Sequence, residues 1–147
     1  MGANPFVPQG NLNRLLSAIQ FTNNPQLNIT ASFCAPEQLA VRFDGQPTLR
    51  LPTATGTVPS MEPKLDAVVT CHLIKSQPFC ALWKTQLETN SLLGPAVLYP
   101  DTSGGISPWN LDNCSIVGMD PTSLNGSSPD YILMIGGIYY INNGLWP

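Results

Sequence analysis

His72 is the only histidine in the chain, and it stands next to Cys71. Imidazole and thiolate are zinc ligands, and imidazole is the common base for a serine or cysteine nucleophile. Neither chemistry assembles from these residues. Neighbours on a strand point to opposite faces, so Cys71 and His72 cannot share an ion. The other cysteines, Cys34, Cys80 and Cys114, form no C-x-x-C pair. Asp66 shares a strand face with His72, but six residues of extended chain separate them by roughly 20 Å, too far for a triad. No Gly-x-Ser-x-Gly elbow is present, so the nucleophile turn of the α/β-hydrolases is missing. Gly104-Gly105 and Gly136-Gly137 lack the lysine of a phosphate loop. The first pair reads as a flexible loop, the second as a bulge or close-packing point in a strand. The expectation is therefore no catalytic residue, no metal and no cofactor, with His72 a satisfied, partly exposed strand histidine.

The elements around these residues are mostly strands. Residues 12–21 read as a first strand with Leu15, Ile19 and Phe21 on one side, ended by Asn23-Asn24-Pro25. Residues 27–33 alternate, with Leu27, Ile29, Ala31 and Phe33 inward. Residues 39–43 repeat that pattern, Asp44-Gly45 signals a turn, and residues 48–51 read as a returning strand. Residues 52–63 read as a strand or a long excursion with Thr53, Thr55 and Thr57 on one hydroxyl-rich face. Residues 65–74 are the longest strand, with Leu65, Ala67, Val69, Cys71 and Leu73 on one face and Asp66, Val68, Thr70, His72 and Ile74 on the other. One helix is expected over residues 78–89, opened by Pro78 and covering a sheet with Phe79, Leu82, Trp83 and Leu87. Gly94-Pro95 is read as its stop. Short strands follow over 96–99 and within 109–119. Residues 131–141 form a strand apolar on both faces, covered by its own core and by the helix or a neighbouring subunit. The fold class is mainly β: a small two-sheet β-barrel or sandwich with one helix packed against it.

Composition sets the surface. Only 10% of the 147 residues are charged, against roughly a quarter in an ordinary soluble domain. Amides, hydroxyls, Pro and Gly stand in their place. A free monomer normally carries more charge than this; a subunit buried against copies of itself does not need it. The net charge is −3 and no Lys/Arg cluster exists, which removes the footprint of groove-type nucleic-acid binding. The first six residues show no basic segment followed by an apolar run, so no export signal is expected. Reduced, mostly buried thiols are expected accordingly. The longest apolar run is too short to span a bilayer as a helix.

The segment order resembles the tail tube proteins of contractile-tailed bacteriophages and the wider family that includes the type VI secretion tube protein. Three stretches carry the resemblance: residues 7–15, an arm running into the first strand; residues 42–58, leading through Glu62-Pro63 into the long strand; and residues 73–77 with the helix and Leu92-Leu93-Gly94. Residues 136–146 fit as well. The resemblance covers most of the chain and implies a single domain, 1–147, with an N-terminal arm over 1–11. It implies hexameric rings stacked head-to-tail into a hollow tube, assembled in the host bacterial cytoplasm and carried in the virion tail. Phage DNA would pass through the lumen without specific binding. Partners would be the chain itself and sheath, baseplate, tail-terminator and tape-measure proteins. Alternation nominates Thr53, Thr55, Thr57, Asp66 and Thr70 as lumen-facing. Phe6, Val7, Asp44, Gln46, Arg50, Leu145 and Trp146 are nominated for contacts between subunits or rings. The competing reading is a secreted, disulfide-bonded β-sandwich that binds a ligand through Trp83, Trp109 or Trp146.

Overall fold

A computed structural model describes residues 6–100, 105–119 and 124–146. Residues 1–5 of the arm, Gly104 and part of the 120–129 loop lie outside the described residues. Eight strands and one helix follow in order: β1 (Ala18–Phe21), β2 (Cys34–Asp44), β3 (Thr48–Pro52), β4 (Thr57–Met61), β5 (Lys64–Ile74), α1 (Pro78–Thr89), β6 (Leu92–Tyr99), β7 (Trp109–Gly118) and β8 (Asp130–Tyr140). Six of the strands form one antiparallel sheet in the order β1-β6-β7-β8-β5-β2. The hairpin β3-β4 forms a second, separate sheet. The six-stranded sheet curls into a half-barrel. Its two edges are linked by side chains: Ser17 Oγ donates to Gln38 Oε1, and Gln38 Nε2 donates to the Arg14 carbonyl.

The core lies inside the curl. Ile19 and Phe21 of β1, Val69, Cys71 and Leu73 of β5, Leu111 of β7, and Leu133 and Ile135 of β8 are buried there. Their spacing of two residues is the strand period. Helix α1 closes one end with Trp83, which is fully buried and meets Phe21 edge-on at 5.6 Å. Truncating a buried indole of this kind costs on the order of 3–5 kcal/mol. Phe79 stacks on Phe33 at 4.2 Å. Phe43 fills the interior further along, 5.0 Å from Tyr139 and 6.0 Å from Trp109.

The strand β5 and the helix lie where the alternation and Pro78 place them. Four local readings change. Residues 27–33 are two 3-10 turns, Pro25–Leu27 and Ala31–Phe33, joined by a single bridge in which Ile29 exchanges backbone hydrogen bonds with Ile19. Leu27 and Ile29 still point inward, because this segment covers the core beside β1. The first strand is only four residues long, and Leu15 before it is exposed. On the helix, Cys80 and Trp83 are the buried side chains, while Leu82 and Leu87 are exposed. Gly94-Pro95 does not stop the helix, which ends at Thr89. The pair lies inside β6, where the pairing with β7 shifts and Gly94 has φ +78°.

Gly136 and Gly137 pair regularly with Val68 and Ala67, so β8 itself is not bulged. The irregularity is in β7, around Asn113 at φ +51°. A Cβ on Gly137 would sit 2.8 Å from Cys114 Sγ, and one on Gly136 2.7 Å from Val117 Cγ1. The two glycines are a close-packing point for the bulged neighbour.

Candidate functional site

The hairpin β3-β4 is left uncovered by the rest of the described fold. All residues of both strands are exposed. Cross-strand partners share a face, so the pairs Leu49↔Ser60 and Leu51↔Val58 put Leu49, Leu51 and Val58 together. Arg50, Thr57 and Met61 lie on the other face by the same register. An isolated two-stranded hairpin is marginal in water. Its base is clamped here by Asn142, which follows β8 at φ +52°. The Asn142 side-chain amide donates to the Pro47 carbonyl at 3.1 Å and to the Glu62 carbonyl at 2.7 Å. The Glu62 N–H closes the base onto the Pro47 carbonyl at 2.9 Å.

The nominated contact residues gather around this hairpin or near the termini. Asp44, Gln46 and Asp66 line one hollow of about 370 Å³ at its base, with Leu49, Glu62 and Lys64. Asp44 and Asp66 face each other across β2 and β5. Like charges so placed repel, and Arg42 answers by pairing with Asp44 at 3.0 Å. Arg50 is exposed on β3. Phe6 and Val7 are largely exposed, as are Leu145 and Trp146. Trp146 meets Tyr140 edge-on at 5.9 Å.

The nominated lumen residues do not form one wall. Thr53 and Thr55 lie in the hairpin tip between β3 and β4, where the Thr53 N–H donates to the Gly56 carbonyl at 2.8 Å and the Gly56 N–H to Thr53 Oγ1 at 3.1 Å. Of Thr53, Thr55 and Thr57, only Thr57 is in a strand, β4. The cause is the partner of β3: it pairs with β4, not back onto β2. Asp66 and Thr70 do lie on the outer face of β5, opposite the buried Ala67, Val69 and Cys71. By register that outer face carries Asp44, Asp66, Asp112 and Asp130 against Arg42 and Lys64. Helix α1 does not cover it, so Ile132, Met134 and Ile138 of β8 are only half-buried there.

Of the tryptophans nominated for a ligand face, Trp83 is in the core and Trp109 is half-buried beside Phe43, leaving Trp146 exposed. All four cysteines are buried free thiols. Burial pushes Cys34 up to about 11 and raises Cys80 and Cys71, the last with help from Cys34. Cys114 also rises to about 11 through burial and then the nearby Asp112. Such thiols are poor nucleophiles.

His72 is half-buried on the outer face of β5, and its Nδ1 is buried with no hydrogen-bond partner. The expectation of a satisfied histidine does not hold. Residue patterns also missed Leu49, Leu51 and Val58 as a surface, although their spacing of two within a charge-poor stretch was a signal. They missed Asn142, for which there was none.

No protein-family model and no curated protein matches the chain. Among solved structures, it is similar to the tube-terminating cap of the anti-feeding prophage, determined by cryo-EM. The identity is 12%, the TM-score 0.46, and the match covers 92% of this chain and 91% of the cap. The functional reading rests on the chain's own residues.

Proposed function

We propose that the chain is a structural subunit of a hollow tube of the contractile-tail type, with six copies in a ring and rings stacked head-to-tail. The observation that carries this reading is the exposed β3-β4 hairpin. It offers Leu49, Leu51 and Val58 to solvent, in a chain with too little charge to favour a free monomer. A neighbouring copy covers that face. Head-to-tail contact is the open geometry that builds filaments. The arm with Phe6 and Val7, the hollow at Asp44 and Gln46, Arg50, and Leu145 with Trp146 complete the contacts between copies.

The outer face of β5 and β8 lines the lumen, with Asp66 and Thr70 toward the passing DNA. Five carboxylates, Glu37 included, against two cations leave phosphates little to hold; an array of Lys and Arg would bind them and release counterions. Thr53, Thr55 and Thr57 belong with the hairpin contact. In this reading the tube works in a virion tail, with sheath, baseplate, terminator and tape-measure proteins as partners, and has no catalytic role.

The test is the double variant Leu51→Lys, Val58→Glu, which charges the apolar face while keeping opposite signs at a directly paired position. Wild-type protein self-associates as its concentration rises, in sedimentation velocity. The double variant stays monomeric with an unchanged circular dichroism spectrum, and its stability lies within about 0.5 kcal/mol of wild type, as for surface changes. A folded double variant that assembles like wild type would remove the hairpin as the interface.

A further inference from the structure

The pairing of three strands brings together side chains that are distant in sequence. Between Cys34↔Leu73 and Leu39↔Cys71, four residues of β2, 35–38, stand opposite the single residue His72 of β5. This wide bulge is pinned: Gln38 takes φ +54°, and its side-chain amide bonds both the Arg14 carbonyl and Ser17. Bulges re-aim side chains, and this one turns Glu37 toward His72. On the other side, β8 pairs Ile132 with His72 and Asp130 with Ile74. Asp130 is therefore the diagonal neighbour of His72 on the same face. One ring nitrogen of His72 and one carboxylate oxygen each of Glu37 and Asp130 lie within 4.8 Å of one another.

We infer that Glu37, His72 and Asp130 form a binding site for one divalent transition-metal cation of the zinc type. Two independent features point to it. The first is the donor set: one nitrogen and two carboxylate oxygens suit a borderline cation, and the imidazole favours it over magnesium or calcium. Two carboxylates also balance a charge of +2. The second is that His72 keeps one buried ring nitrogen, Nδ1, without a hydrogen-bond partner, as do Gln77 Oε1 and Trp83 Nε1 elsewhere among the described residues. An unsatisfied buried polar atom is costly and calls for an explanation such as an ion. Glu37 is exposed and His72 and Asp130 half-buried, so the donors can draw in to the roughly 2.0–2.2 Å of zinc–nitrogen and zinc–oxygen bonds. Three protein donors leave a position for water. The thiol of Cys71 takes no part, since it is buried on the opposite face of β5. The site does not depend on the tube reading; within that reading it lies on the lumen face, where a bound cation gives a passing phosphate a single point of contact.

The test uses the full chain, freed of metal with a chelator and then titrated with Zn²⁺ by calorimetry and with Co²⁺ by absorption. One ion binds per chain, and the Co²⁺ spectrum shows nitrogen and oxygen ligation without a thiolate-to-metal band. His72→Gln, Asp130→Asn and Glu37→Gln each weaken Zn²⁺ binding at least tenfold. Glu37 is on the surface, so Glu37→Gln keeps the fold and decides the matter if His72→Gln does not. Binding absent at millimolar Zn²⁺, a thiolate band, or unchanged affinity in folded Glu37→Gln would each overturn the site.

Discussion

Cys34, Cys71, Cys80 and Cys114 carry the strongest perturbed chemistry in the chain, and it is chemistry of concealment. Burial raises every one of them from an ordinary value of 9.0. In the unfolded chain these thiols ionise near 9, while in the fold Cys34 and Cys114 hold their protons to about 11. Their contribution to stability is therefore complete below about pH 9 and is lost as pH rises toward 11, because ionisation then favours the unfolded state. Thermal unfolding should be level from about pH 7 to 8.5 and fall steeply by about pH 10.5, with native thiols unreactive to a disulfide reagent at neutral pH. Rapid labelling of the native protein at neutral pH would contradict this. That Cys71 is an interior position follows from its sharing a strand face with Val69 and Leu73. That His72 meets Glu37 and Asp130 does not follow from any local pattern. It needs the bulge in β2 and the register of β8, which only the folded sheet sets.

At the scale of elements, local signals were legible where one segment decides its own structure. The alternation of β5 and the Pro78 start of α1 are of that kind. The segment 27–33 was not, because Leu27 and Ile29 point inward in 3-10 turns as readily as in a strand. Thr48–Pro52 was not, because a turn at Asp44-Gly45 cannot say that the next strand pairs forward with β4. The two glycines of β8 show what such partners demand. Gly137 faces Cys114, the Asp112 carbonyl and Leu111 within 3.4 Å of a would-be Cβ, all held in the sheet or core. Gly136 faces Val117, which is exposed and can turn away. Gly137→Ala should cost about 1–3 kcal/mol as an overpacking change, and Gly136→Ala less. Urea unfolding midpoints check the order, and a Gly137→Ala protein as stable as wild type would show that β7 yields.

At the scale of the whole molecule, the half-barrel closes its core at one end with α1 and leaves three things unfinished. They are the hairpin, the outer sheet face and the apolar ends of the chain. Each was only partly legible, since exposure depends on the packing of distant strands. The low charge was legible at once; in the proposed tube the hairpin and the two ends meet neighbouring copies, while the outer face meets the lumen. The most direct measurement is electron microscopy of the purified chain across a concentration series. Hollow rings or tubes with sixfold symmetry, appearing as concentration rises, are the predicted result. Closed particles without a channel, or a chain that stays monodisperse and monomeric even when seeded with preformed tube ends, would contradict the account.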